Sequence, residues 1–312
     1  MHASVQAPSA VVMVRPHRFH PNPETAGDNA FQVRTAQPAA SDTSCRAFAE
    51  VTAAAECLEE AGVRVHLFDD PGEHDTPDAV FPNNWFSTHA GGHVAIYPMY
   101  ARNRRRERRS DVIELLKAEY RVQDVIDYSG LEADGMFLEG TGAMVLDHIH
   151  RIAYTAQSNR ADPVALERFC THFNYEPMAF ATADEEGQPC YHTNVMLCIG
   201  TAFALGGFHM ITDPGRRAAV CERLRETGRE VIALSPHQIR EFAGNALELS
   251  GAQGRVLALS ARAAASLTPA QRATIEQSAR LLPLNVPTIE LAGGSVRCML
   301  AGVHLARRSA GV

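Results

Sequence analysis

The sequence lacks several features that would place it in a specialised class of protein. No apolar run reaches the roughly 18 residues that a membrane-spanning helix needs. The formal net charge is −7, which argues against a partner such as nucleic acid or an anionic membrane. The N-terminal segment has no basic stretch followed by a long apolar one, so we predict no signal peptide. Together these absences favour an ordinary soluble globular protein.

The cysteines lack the arrangement that disulfides or zinc sites require. There are seven of them, an odd number, with irregular spacing and no C-x-x-C pair. Such a pattern is typical of free thiols in a reducing cytosol. We therefore predict a cytoplasmic protein that holds no metal.

Short apolar segments recur along the chain and predict strands. Most are followed by a second strand, a helix and a further short strand. Helix starts are indicated by Asp-Pro or Thr-Pro pairs at Asp162, Asp213 and Thr268. The segments recur at steps of about 50 residues, a period that indicates a modular fold. They begin at His93, Ala143, Val195, Ala246 and Cys298.

The repeating unit is therefore strand–strand–helix–strand, about five times over. The first predicted strand lies near the N-terminus, and the last module begins near Cys298. Pairing the chain ends would close a ring and leave no sheet edge exposed. The alternative is an open doubly wound sheet, but no G-x-G-x-x-G follows a strand. We predict one α/β domain over residues 1–312, with five modules around a central site.

Polar residues stand just before the first strand of several modules. In a ring of repeats the ends of equivalent strands converge on the axis, so these residues are expected to share one cavity. Cysteine, histidine, glutamate and amide side chains come from separate junctions. The candidates are Asn83, Asn84, Glu139, His192, Asn194, Asn245 and Cys298.

These residue types suit nucleophilic catalysis. A thiol is only a few per cent thiolate at pH 7, and a neighbouring cation, either protonated His192 or Arg297, would raise that share. His192 would then move protons, and Glu139 would orient the imidazole. Amides would bind a neutral, planar polar group. The competing interpretation is structural, because a cysteine in an apolar strand is usually a small core residue.

Two further segments are assigned from composition. The charge run at residues 102–111 is predicted to be a solvated loop or helix start. Residues 20–42 are polar and rich in proline, and we expect a mobile loop there that covers a site.

The stretches FPNN, FLEGTG, YHTN, FAGNALEL and GSVRC, in this order, resemble the guanidine-modifying superfamily. Its members, including arginine deiminases, dimethylarginine hydrolases and amidinotransferases, share a fivefold α/β-propeller called the pentein fold. Within it the chain most resembles the citrulline-utilisation hydrolases. The resemblance implies the same fold, with Cys298 as nucleophile, His192 as proton carrier and Glu139 as the acidic partner. The G-T-G after Glu139 departs from the family's pattern.

The resemblance also implies substrate contacts. Arg160 corresponds to an arginine that would hold a substrate carboxylate by a bidentate contact. Two family aspartates that grip a guanidinium correspond to Asn84 and Asn194 in this chain. A buried cation without an anion is costly, whereas a neutral ureido group matches amides. We therefore expect a ureido substrate rather than a guanidine, with Asn83, Asn245 and Arg297 as further contacts.

The predicted function is that of a cysteine-dependent hydrolase without a cofactor, acting on a linear C–N bond. It would convert citrulline to ornithine, carbon dioxide and ammonia through a covalent thiol adduct. One alternative is an arginine deiminase, another guanidine hydrolase or an amidinotransferase. An alternative of another class is a non-catalytic amino-acid-binding protein. The expected partners are small molecules and a second copy of the chain in a homo-oligomer.

Overall fold

The structure is a computed structural model that describes residues 4–33 and 40–308. Over these ranges the strands form five separate sheets of three strands each. The strands are β1 (Ala10–Pro16), β2 (Arg64–Asp70), β3 (Phe86–His89), β4 (His93–Ile96), β5 (Asp124–Asp127), β6 (Met144–Asp147), β7 (Ile152–Ala156), β8 (Glu176–Phe180), β9 (Leu197–Ile199), β10 (Phe203–Gly206), β11 (Glu230–Ala233), β12 (Leu247–Gly251), β13 (Gly254–Ser260), β14 (Arg280–Leu284) and β15 (Ala301–Gly302).

Helices connect the strands, and several begin where the sequence predicts. Asp162 accepts hydrogen bonds from two backbone N–H groups of the first turn of its helix, and Thr268 forms a capping box with Gln271. Within the described residues no helix has both the length and the apolar character that a membrane crossing demands. The helices are α1 (Ala40–Glu60), α2 (Ser110–Glu119), α3 (Gly140–Ala143), α4 (Pro163–Phe173), α5 (Pro214–Glu226), α6 (Pro236–Arg240), α7 (Ala261–Ser266), α8 (Pro269–Glu276) and α9 (Val296–Met299).

All five sheets follow one pairing pattern. The first strand runs antiparallel to the second, and the second runs parallel to the third, as in β6, β7 and β8. A helical connection joins the second strand to the third, because parallel neighbours need a crossover. The predicted strand–strand–helix–strand unit is thereby confirmed.

The chain ends meet in one sheet. The last strand, β15, pairs antiparallel with β1, with Val12 opposite Ala301, and β1 pairs parallel with β2. This pairing completes the fifth module and closes the ring. The fold is therefore the predicted fivefold α/β-propeller of the pentein type.

Two predicted strands differ from the structure. The segment at His93 is the second strand of its module, and the first is β3, in which Ser87 is buried and hydrogen-bonded to Tyr97 and His89. Because the Ser87 hydroxyl is hydrogen-bonded to buried neighbours, this polar segment can form the first, buried strand of its sheet. Cys298 does not start a strand either, since it lies in the single turn of α9 and β15 begins only at Ala301.

Adjacent modules are joined by buried charge. The Arg229 guanidinium, just before β11, donates to both carboxylate oxygens of Asp147 in β6, at 2.6 and 3.0 Å. Both side chains are fully buried. A second donor group of Arg229 reaches the carbonyl of Gly200 at 2.8 Å. This buried, bidentate pair fixes the sheet of β6, β7 and β8 against the sheet of β9, β10 and β11.

Candidate active site

A small cavity at one end of the ring axis collects residues from distant parts of the chain. Four residues predicted for the site line it, namely Asn84, Arg160, His192 and Cys298. Its other lining residues are Thr25, Asn29, Asp78, Phe81, Arg104, Tyr191, Ala292 and Gly294.

Cys298 presents its sulfur to this cavity from the helical turn α9. The Nδ2 groups of Asn194 and Asn245 lie 3.3 and 3.2 Å from Sγ and donate to it. A Cβ at Gly294 would lie 2.8 Å from the Phe81 ring, so a glycine is needed for the chain to pass beside the sulfur. Two amide donors stabilise negative charge on sulfur, which is the form that a nucleophile must take.

His192, which lines the same cavity, forms a buried pair with Glu139 behind it. Nε2 of His192 lies 2.7 Å from Oε2 of Glu139, and the Tyr100 N–H donates to the other carboxylate oxygen at 2.9 Å. Since the carboxylate can only accept, the proton of the neutral imidazole sits on Nε2. A Cβ at Gly142 would come within 2.8 Å of Nδ1 of His192, so the glycine gives this nitrogen room.

The charges around Glu139 keep it ionised. Burial by itself would raise the pKa of this carboxyl group. The Arg160 guanidinium at 3.4 Å, the His192 hydrogen bond and Arg104 at 3.6 Å outweigh burial and hold the pKa below its usual range. Glu139 is thus a fixed anion that accepts from the imidazole.

His192 is expected to govern the acid side of the pH profile. Burial lowers the pKa of its imidazole to about 4, against the opposing effect of Glu139. We expect kcat/KM to be level from neutral pH down to about pH 5 and to fall through about pH 4, because protonation removes the base. Initial rates in short assays at each pH test this, and an acid limb near pH 6.5 would contradict it.

The lowered pKa of His192 also makes the stability of the fold depend on pH, so the experiment needs a control for unfolding. The folded-state pKa of His192 lies below the ordinary imidazole pKa of about 6.5, so the unfolded chain takes up the proton first. This residue therefore contributes stability above pH 6.5 that is lost as pH falls towards 4. Circular dichroism at each pH, and recovery of activity on return to neutral pH, separates unfolding from titration of the base.

Of the four predicted amide contacts, only Asn84 lines the cavity. Its Oδ1 accepts from Arg104 at 2.9 Å, and its Nδ2 donates to Asn83 at 3.1 Å. Asn83 lies behind it, and its own Nδ2 has no partner among the described residues. Asn194 and Asn245 hold the sulfur of Cys298. Direct contact of these three with substrate stays a prediction.

Arg160 and Arg297, both predicted to bind substrate, are placed differently. Arg160 lines the cavity, but its fork is occupied by Asp28, with Nε–Oδ2 and Nη2–Oδ1 distances of 3.0 and 2.5 Å. Asp28, Thr25 and Asn29 belong to the predicted covering loop, of which residues 34–39 lie outside the described residues. Arg297 does not line this cavity, so its predicted substrate contact has no support from the geometry.

The prediction of a solvated charge run at 102–111 is wrong for its centre. Arg104 and Glu107 are only 2% and 3% exposed, and the guanidinium donates to both carboxylate oxygens at 2.9 Å. Burial raises the pKa of Glu107 to about 8, although Arg104 opposes this. The spacing of the two residues, three apart, was the available signal, because residues at that spacing face each other on a helical turn.

Asp78 is a cavity residue that sequence reasoning missed. Its Oδ2 accepts from Asn22 at 2.8 Å, whereas its buried Oδ1 has no hydrogen-bond partner among the described residues. Burial raises the pKa of this carboxyl group, and Arg104 opposes the shift. An unpaired carboxylate oxygen in a cavity matches an N–H donor of a ligand. Across residues 4–33 and 40–308, no three acidic, His or Cys side chains converge as metal ligands would.

The fold is shared with several solved structures. Unliganded AgrE matches with a TM-score of 0.74 and 18% identity over 96% of this chain, which spans 40% of AgrE. The N-terminal domain of ArgZ, an arginine dihydrolase from cyanobacteria, matches with a TM-score of 0.72 and 16% identity, covering 95% of this chain and 98% of that domain. The citrulline complex of a DDAH variant from Pseudomonas aeruginosa gives 0.62 and 14%, with 97% and 100% covered.

A family comparison agrees with the structural one. The family described as eukaryotic N,N dimethylarginine dimethylhydrolase matches residues 15–305, which is nearly the whole described chain. No curated protein sequence matches significantly.

Proposed function

The chain belongs to the eukaryotic N,N dimethylarginine dimethylhydrolase family, in the guanidine-modifying superfamily, and from this premise we propose that it hydrolyses citrulline. The family makes it a hydrolase with a catalytic cysteine. The observation that supports the proposal is the cavity that Cys298, His192 and the Asn84 amide share. Beside its bonds to Asn83 and Arg104, the Asn84 amide keeps a second N–H and a second lone pair, which are the donor and acceptor that a neutral ureido group requires.

The first step is attack of the Cys298 sulfur on the ureido carbon. The amide N–H groups of Asn194 and Asn245 at 3.3 and 3.2 Å stabilise the thiolate before attack. The structure gives no hydrogen bond between Sγ and His192, although both line the cavity. The substrate therefore lies between the sulfur and the imidazole, and protons pass through the reacting group.

The imidazole then completes turnover. The proton that Cys298 gives up passes through the ureido group to His192, which donates it to the leaving amine, and Glu139 stabilises the imidazolium in the meantime. A carbamoyl group remains on the sulfur. Water, deprotonated by His192, releases it as carbamate, which decomposes to carbon dioxide and ammonia. The amino acid product is ornithine.

Arginine is the second candidate substrate, and one observation favours it. The unpaired Oδ1 of Asp78 would accept from a guanidinium and also supply the anion that such a cation needs. Against this, Arg104 lies 3.6 Å from the same carboxyl group and offsets its charge. We therefore place citrulline first.

A substrate panel tests the proposal. Citrulline, arginine and N,N-dimethylarginine are each incubated with the purified protein, and the products are identified by mass spectrometry. We expect ornithine from citrulline with the highest kcat/KM of the three. Faster turnover of arginine or of dimethylarginine would overturn the citrulline assignment and leave the hydrolase family intact.

The Asp78→Asn variant separates the two candidates further. Removing the charge should lower arginine turnover by roughly 100-fold or more, because a buried guanidinium loses its anion, and should change citrulline turnover by less than about tenfold. The matched control is Asp75→Asn, which changes an exposed aspartate paired with Arg106. An equal loss with both substrates would mean that Asp78 acts on the fold instead of on the ligand's charge.

A further inference from the structure

A second cavity lies on the ring axis behind the active site. Its wall includes residues from the inner strand of each of the five sheets. These strands are β3, β6, β9, β12 and β15. None of its lining residues lines the active-site cavity.

Arg297 brings a charge to this second cavity. The side chain is only 9% exposed, and its Nη1 donates to the Leu300 carbonyl at 3.0 Å. Among the described residues, no carboxylate lies within ion-pair distance of it, and Nε and Nη2 have no protein acceptor. A guanidinium stays protonated in proteins, so this is a buried cation without an anion. Such an arrangement is costly unless something else compensates the charge.

The rest of the wall adds no negative charge. No aspartate or glutamate is among the described residues that line the cavity. The rings of His148 and His304 stack there with their centroids 3.6 Å apart. Burial, and then the nearby Arg297, lowers the pKa of His304 to about 3, and burial also lowers that of His148. Both rings are therefore neutral near pH 7.

We propose that this axial cavity binds a small monovalent inorganic anion, with chloride as the simplest example, on the guanidinium of Arg297. The chemistry favours a single charge, because other polar groups of the wall are already engaged. Thr88 donates to Gly302 at 2.9 Å, and Gln6 donates to Leu146 at 3.0 Å. A polyanion would find no further donors of this kind, whereas one small anion needs only the free edge of the guanidinium.

An anion bound to Arg297 would change the reactivity of Cys298 from the opposite side of the active-site cavity. Arg297 and Cys298 are consecutive in α9, and the Arg297 N–H donates to Oδ1 of Asn245 at 3.0 Å. The Nδ2 of the same amide donates to the Cys298 sulfur at 3.2 Å. A cation on the residue next to the nucleophile favours the thiolate. An anion on Arg297 cancels that effect, so occupancy lowers the reactivity of the cysteine.

The alkylation rate of Cys298 by iodoacetamide tests the proposal without any substrate. The rate is followed by peptide mass spectrometry while chloride replaces gluconate at constant ionic strength. We expect a saturable decrease of about tenfold for Cys298. The exposed Cys45 in the same chain is the internal control and should not change. A rate for Cys298 that is independent of chloride overturns the coupling of the anion to the nucleophile.

Two further measurements test the site itself. In Arg297→Gln the chloride dependence should vanish, and in Arg255→Gln, a control at an arginine paired with Glu248, it should remain. Crystals of the unchanged protein soaked in bromide should show an anomalous peak beside the Arg297 guanidinium. If that position holds only water at saturating bromide, no anion site exists there. The crystal experiment decides this even if Arg297→Gln fails to fold.

Discussion

The Cys298→Ala protein is expected to lose turnover by roughly 10⁵-fold or more, since no other described residue on the cavity carries a thiol that could form the covalent adduct. Its sulfur faces the active-site cavity and accepts from two amide N–H groups. The loss should appear in kcat with little change in substrate binding, because the side chain is small. Product formation is followed by mass spectrometry with the best substrate of the panel.

The matched control is Cys170→Ala. Cys170 is also buried, but it lies on α4 in an apolar cluster outside the cavity. We expect normal turnover from this variant and a trapped thiol adduct only in proteins that retain Cys298. Full activity in Cys298→Ala, or an adduct on another cysteine, would refute the mechanism.

The Glu139→Gln protein is expected to lose roughly 10³- to 10⁴-fold in kcat, by analogy with loss of the carboxylate in other acid–histidine pairs. Glutamine preserves the shape but can present an N–H to Nε2, which favours the wrong tautomer of His192. It also removes the charge that stabilises the protonated imidazole. The effect therefore falls on the proton-transfer steps and not on binding.

The pH profile distinguishes this role from a structural one. Glu139 raises the pKa of His192, so its loss should move the acid limb of the remaining activity to lower pH. Glu132→Gln is the control, because Glu132 is a partly buried carboxylate bound to Arg108 away from the cavity. A rate loss with an unmoved acid limb would assign Glu139 to stability alone.

The modular fold was predictable from the sequence because its signals are local. Apolar segments recur at a regular period, and helices open at Asp162, Asp213 and Thr268 with residues that cap a first turn. The pairing of the two chain ends was predictable too, since a ring removes sheet edges. Strand β3 was missed because it is largely polar, and its Ser87 hydroxyl is satisfied by buried neighbours.

The site was predictable only where residue type and position before a strand agree. Cys298, His192 and Asn84 meet both conditions and do line one cavity. Asp78 and Arg104 do not stand just before the first strand of a module. The direction in which their side chains point depends on packing against other segments.

Arg297 and Cys298 show most clearly where prediction of the site from sequence fails. They are neighbours in sequence, yet they line different cavities. Composition alone cannot assign direction to side chains within a single helical turn.

The pairing of β15 with β1 has a consequence for the order in which the enzyme folds. Val12 meets Ala301 across nearly the full length of the described chain, and Cys298 is positioned three residues before that contact. Because loop-closure entropy must be overcome before distant segments pair, we expect this contact to form late in folding. A partly folded chain therefore carries the thiol but has not assembled its catalytic surroundings, and catalytic competence is acquired as one of the final events of maturation.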